Sequence, residues 1–117
     1  MGLDLLVRDK KGKEVYAEKI ASYSGFHEFR VTWADLLGLD LTQMQGFGGS
    51  EPLDGKLLGS FFNHSDCDGR ISSRAAKAIL RQARKDASKL PEFEWQFRVL
   101  IRACEKAVKH RTPIIFC

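Results

Sequence analysis

The sequence predicts an α+β fold: a small β-sheet joining N- and C-terminal strands, packed against about three helices. Two observations predict it. Apolar and polar residues alternate near the start of the chain, whereas beyond residue 73 the apolar ones recur every three or four positions through two long stretches. The last apolar run, Ile114-Ile115-Phe116, is too short for a helix and is best satisfied by pairing with the first strand. At 117 residues and 44% hydrophobic content, residues 1-117 are expected to form a single globular domain with its own core.

Leu3, Leu5 and Val7 alternate with Asp4, Leu6 and Arg8, the pattern of a half-buried strand. Asp9-Lys10-Lys11-Gly12-Lys13 reads as a turn with a glycine suited to positive φ, after which Val15 and Ala17 resume the inward positions of a hairpin. Ser24 is then expected to cap a helix whose apolar positions are Phe26, Phe29, Trp33, Leu36 and Leu37, closed by Gly38. A competing start at Thr32, with Asp35 as an acidic form of the capping box, leaves Phe29 and Val31 on a strand. The longer helix accounts for more of the spacing.

From residue 39 to 55 the pattern dissolves into a loop, with Gly46, Gly48, Gly49, Ser50, Pro52 and Gly55 interrupting Leu41, Met44 and Phe47. Its Gly46-Phe47-Gly48-Gly49 lacks the following helix and lysine of a phosphate-binding loop. Leu57, Leu58, Phe61 and Phe62 suit a short helix. Ser72 is placed to cap a long helix over 73–89, with Ala76, Ile79, Leu80, Ala83, Ala87 and Leu90 inward and Arg74, Lys77, Arg81, Arg84 and Lys85 on another face. Pro91 suits the first position of a last helix whose apolar face is Phe93, Phe97, Leu100, Cys104, Ala107 and Val108. On its surface Glu94 is spaced to meet Arg98, and Glu105 to meet Lys109. His110-Arg111-Thr112-Pro113 ends it.

The net charge of +4 conceals an asymmetry: residues 1–68 carry 7 Lys/Arg and 11 Asp/Glu, residues 69–117 carry 12 and 4. A basic half of this kind attracts phosphates or an acidic partner, or simply keeps the protein soluble. No stretch approaches the roughly 18 apolar residues needed to cross a bilayer. Met1-Gly2-Leu3-Asp4 puts an acid where a signal peptide needs positive charge, and Cys67, Cys104 and Cys117 are an odd, scattered set. A cytoplasmic protein with reduced thiols is expected.

The densest chemistry lies in Asn63-His64-Ser65-Asp66-Cys67-Asp68-Gly69-Arg70. Read from His64, it imitates a calcium loop, but His64 stands at the first place and Ala75 at the twelfth, so two strong oxygen ligands are missing. His64, Asp66 and Asp68 are therefore weak metal candidates. Zinc on His64 and Cys67, with Asp66, His27 or His110, lacks a second ligand pair at structural spacing. Cys67 as a nucleophile activated by His64 is disfavoured, because two adjacent carboxylates, Asp66 and Asp68, are expected to oppose a thiolate. A plainer account has the two carboxylates accepting turn N–H groups, Gly69 turning left-handed and Cys67 filling core. No cofactor is expected.

Three short motifs, Met1-Gly2-Leu3-Asp4, Tyr23-Ser24-Gly25-Phe26 running to Arg30, and Ser65-Asp66-Cys67-Asp68-Gly69, occur in that order along the chain. In this the chain resembles a group of small phage and prophage proteins that share those three motifs. His64 departs from the group, which more often has an aromatic there. The resemblance implies a bacterial or phage setting and a compact α+β domain, and brings no activity with it. It also implies that the segment from Tyr23 to Arg30 and the turn from Ser65 to Gly69 belong to one place.

Two glycine-bearing helix entrances that converge make an anion-friendly pocket, because positive helix ends and unpaired N–H groups point the same way. The expected function is thus a non-enzymatic binding protein for a small anionic, nucleotide-like ligand, countering a host process. Ser24, Arg30, Ser65, Asp66 and Arg70 are its expected contacts, with Tyr23 or Phe26 for stacking. One alternative is a metal-dependent hydrolase centred on Asp66 and Asp68 with His64 as base. Another is an inhibitor that offers the basic helix 73–89 to an acidic protein partner. Nucleic acid is disfavoured, since no recognised binding motif is present and the N-terminal half is acidic.

Overall fold

The computed structural model describes residues 2–38 and 69–117. Four antiparallel-paired strands, β1 (Gly2–Arg8), β2 (Glu14–Ser22), β3 (Gly69–Ile71) and β4 (Ile114–Phe116), form one sheet in the order β2-β1-β4-β3. Leu5 stands opposite Phe116 and Val7 opposite Ile114, so the two ends of the chain share the middle of the sheet, as the sequence predicts. Helices α1 (Tyr23–Leu36), α2 (Ser73–Asp86) and α3 (Glu94–His110) complete the described structure, with short 3-10 turns at Ala87–Lys89 and Pro91–Phe93 between the last two. The expected loop at 39–55, the short helix at 57–62 and residues 63–68 of the turn expected over 63–70 lie outside the described residues, while the last two residues of that turn, Gly69 and Arg70, open β3.

Alternation along β1 sends Leu3, Leu5 and Val7 inward, where they meet Ile71, Ile114 and Phe116 from the neighbouring strands. α3 lies against β1, β2 and α2, and α1 packs against β2 and β1. The filling between them is largely aromatic: Phe26, Phe29, Trp33 and Phe97 are all closed to solvent or nearly so. Val99 and Ala103 join the predicted Phe97, Leu100, Cys104 and Ala107 on the buried side of α3.

β2 departs from the predicted alternation. Its pairing with β1 slips twice, between Leu3 and Asp4 and between Val7 and Arg8, so that Ile20 and Val15 are extra residues. Each bulge shifts the pleat by one position. Tyr16 consequently packs against the core while Ala17, expected inside, is exposed. At the hairpin tip Asp9 Oδ1 accepts from the N–H groups of Lys11 and Lys13, both at 2.9 Å, and Gly12 takes φ 86°.

Ser22, not Ser24, caps α1: its backbone is extended and its Oγ accepts from Gly25 N at 3.1 Å. Gly38 adopts φ 76° just beyond the other end, as expected of a closing glycine. Ser72 caps α2 by accepting from Ala75 N at 3.1 Å. Helical spacing of the α type ends at Asp86 rather than Lys89, because Leu90 precedes Pro91 and is pushed towards extended backbone, at φ −128° and ψ 68°. Glu94 meets Arg98 at 3.0 Å, but Glu105 pairs with Arg84 of α2 at 2.9 Å rather than with Lys109. Packing of α2 on α3 supplies that nearer guanidinium.

Replacing Ser72 with alanine leaves a first-turn donor of α2 without its acceptor. The expected cost is about 1 kcal/mol in a urea titration, whereas Ser24→Ala, which removes no cap, is expected to change stability by less than half of that.

Candidate functional site

The Tyr-Ser-Gly corner is a helix start whose geometry depends on Gly25. A Cβ there would lie 3.0 Å from the Ser22 hydroxyl, so the absent side chain lets the capping oxygen reach the Gly25 N–H. Ser24 is exposed, its hydroxyl 3.4 Å from that of Ser22, and Tyr23 is partly buried. Phe26 and Arg30, one turn apart, are both fully buried, and the Arg30 guanidinium lies 4.7 Å from the centre of the Phe26 ring. A ligand reaches either only by displacing what covers it.

Phe26 also meets Phe116 edge-on, with ring centres 5.6 Å apart, and Phe116 stands opposite Gly69 in the sheet. Through that aromatic contact α1 is tied to the beginning of β3. His64, Ser65, Asp66, Cys67 and Asp68 precede β3 and lie outside the described residues.

Arg70, the remaining expected contact, is exposed opposite Ile115. It lines an open depression of about 410 Å³ together with Ser72, Ser73, Arg111, Thr112 and Pro113. The amino end of α2 forms part of the wall, so the partial positive charge of the helix adds to two guanidinium groups. Among the described residues of that lining none comes from α1. In this depression Arg70 is joined by the corner that follows α3.

No family model, curated protein or solved structure matches the chain.

Arg111 was not among the residues singled out by motif. It stops α3 in a left-handed conformation, φ 56° and ψ 42°, with its N–H bonded to the Ala107 carbonyl. For a residue with a Cβ that conformation costs roughly 1 kcal/mol that glycine would not incur. The sequence signal was the expected break at residues 110–113, but nothing in it pairs Arg111 with Arg70.

Asp86 was also missed. It is 1% exposed, yet its Oδ2 accepts from Trp33 Nε1 at 2.9 Å and from Gln82 Nε2 at 2.8 Å, and Lys89 Nζ lies 3.3 Å from Oδ1. Burial pushes its pKa up, but the hydrogen bonds from Trp33 and Gln82 and the nearby ammonium of Lys89 outweigh burial and hold it below the usual aspartate value. The carboxylate is committed to joining α1 and α2.

Cys104 is buried, and burial, aided by neighbouring Glu105, pushes its thiol up to about 12, which leaves no thiolate for chemistry at neutral pH. Among the described residues no group of three or more His, Cys, Asp or Glu is placed to hold a metal ion, and no helix is long and apolar enough to cross a membrane.

Proposed function

We propose that the chain is a non-enzymatic binding protein of phage type, acting in the bacterial cytoplasm, that holds a small anionic, nucleotide-like ligand and so counters a host process. One observation carries the reading. Arg70 from β3 and Arg111 from the end of α3 line the same depression as Ser72 and Ser73 at the amino end of α2. Two forked guanidiniums, two hydroxyls and a helix start offer an anion several donors from different directions. Neither arginine takes part in an ion pair among the described residues. Resemblance to the phage and prophage proteins through Tyr23-Ser24-Gly25-Phe26 and Ser65-Asp66-Cys67-Asp68-Gly69 supports the host-directed part.

Titration of the ¹⁵N-labelled protein with inorganic phosphate and with adenosine monophosphate, followed by amide shifts, tests it. The largest shifts are expected at residues 70–74 and 111–112. Arg70→Ala and Arg111→Ala are each expected to weaken binding about tenfold, the effect of losing roughly 1.4 kcal/mol of charge-assisted hydrogen bonding, while Lys77→Ala leaves it unchanged. Equal affinity in Arg70→Ala would remove this placement of the ligand.

A further inference from the structure

We propose that the end of the molecule formed by the β1–β2 hairpin tip and the last turn of α3 binds the phosphate backbone of a nucleic acid without reading its sequence. Lys10 and Lys11 from the tip meet Lys109, His110 and Arg111 around a second open depression of about 480 Å³, with Asp9 also in its wall. Arg111 lines both this depression and the one that holds Arg70. The two hollows are therefore neighbours sharing one residue, Arg111. Together they set out five cations, Lys10, Lys11, Lys109, Arg111 and Arg70, against one carboxylate.

Asp9 Oδ1 accepts from the backbone of Lys11 and Lys13, which holds it in the hairpin, and its single charge leaves a net excess of four positive charges. None of the five cations is in an ion pair among the described residues, whereas Arg84, Arg98 and Lys89 each meet an acid. Arg74, Lys77, Arg81 and Lys85 on α2 are likewise outside any ion pair among the described residues, so what sets this end apart is that its cations converge on two adjoining hollows. The carbonyl end of α3 opposes an anion with only about half a charge, so the side chains dominate.

Shape selects among anionic partners. A small anion needs only the hollow beside Arg70, whereas two open, adjacent hollows suit a chain whose charges repeat along its length. Among the described residues neither is lined by Phe, Tyr or Trp, and His110 is the one ring beside five cations, so the contacts fall mainly on phosphates. This inference shares Arg70 and Arg111 with the small-anion reading but does not require that reading to hold; the lysines of the hairpin tip belong to it alone.

Fluorescence anisotropy of the full chain with a labelled mixed-sequence single strand of about 20 nucleotides, and with its duplex, tests the proposal. If all five cations meet phosphates of the single strand, the slope of log affinity against log salt is about −3.5, a loss of roughly a hundredfold between about 50 and 200 mM salt. The pair Lys10→Gln/Lys11→Gln is expected to make that slope shallower by about 1.4 and to leave binding of inorganic phosphate unchanged. Arg111→Gly, which fits the left-handed corner and is checked by thermal melting, is expected to weaken both ligands. No binding at low salt, an unaltered slope in the lysine variant, or equally tight capture of polyglutamate would overturn the proposal. Phosphate binding without nucleic-acid binding defeats it and leaves the small-anion reading standing, and the converse result separates the two in the other direction.

Discussion

Phe97→Ala is expected to cost about 4 kcal/mol of stability, within the range for emptying a buried aromatic site. Phe97 is 1% exposed and meets the ring of Phe29 edge-on at 4.9 Å and that of Trp33 at 5.1 Å. Phe29 and Trp33 are stacked at 5.7 Å on α1, so removing Phe97 exposes two large faces to a void at once. Ring-to-ring geometry adds about 0.5–1.5 kcal/mol per pair to the transfer of the ring itself. Domains of this size are stable by only some 5–15 kcal/mol, so the variant is expected to melt far earlier or to be recovered only at low temperature. Phe97→Leu keeps most of the hydrocarbon and is expected to cost clearly less. Urea unfolding of the three proteins, with slopes compared as well as midpoints, checks this. A change below about 1 kcal/mol in Phe97→Ala would mean that α3 is not anchored to α1 through these rings.

Long periodic elements were legible because their apolar spacing coincides with their burial. Ala76, Ile79 and Ala83 on α2, and Phe97, Leu100, Cys104 and Ala107 on α3, are examples. β3 was not legible. Gly69-Arg70-Ile71 has one inward side chain and no period, and it is a strand because β4 offers an edge beside it. The bulges at Val15 and Ile20 left no trace for a similar reason, since an extra residue changes which side each neighbour faces without changing composition. Ser24 was the expected cap, and Ser22 takes that place. The space beside Gly25 chooses between them.

The candidate site divides along the same line. Arg70 was legible from its place beside the Asp-rich turn, but its partner Arg111 comes from a corner distant in sequence and is brought there by the pairing of β3 with β4. Arg30 was expected as a ligand contact, yet the fold buries it against Phe26, which the motif gave no means of telling. Asp86 had one available signal. It falls in the stripe of Ala76, Ile79, Ala83 and Leu90, and a carboxylate at a core position implies donors waiting for it.

Those donors make Asp86→Ala the other large effect, expected at about 3 kcal/mol. Removing the carboxylate leaves the Trp33 indole N–H and the Gln82 amide without the oxygen they share, and water has little access to replace it. Loss of the Lys89 contact contributes little, because that ammonium is largely solvated. Asp86→Asn retains an acceptor for Trp33 but sets an amide donor against other donors, so an intermediate cost is expected. Trp33→Phe removes the indole donor and keeps an aromatic ring, and a double-mutant cycle with Asp86→Asn isolates the coupling, expected at about 1–2 kcal/mol. Acid provides an independent check. The folded pKa of Asp86 lies below its ordinary value of 3.8, so the unfolded chain binds the proton more readily. The associated stability is fully present above the ordinary value and is lost as pH falls from there through the folded value, at no more than about 1.4 kcal/mol per pH unit. The gap in stability between the native chain and Asp86→Asn is therefore expected to be constant near neutrality and to narrow only below about pH 4. A gap that already closes between pH 7 and 5 would assign the effect to another group, and a gap that persists unchanged into strong acid would mean that the charge of Asp86 does not help to hold α1 against α2.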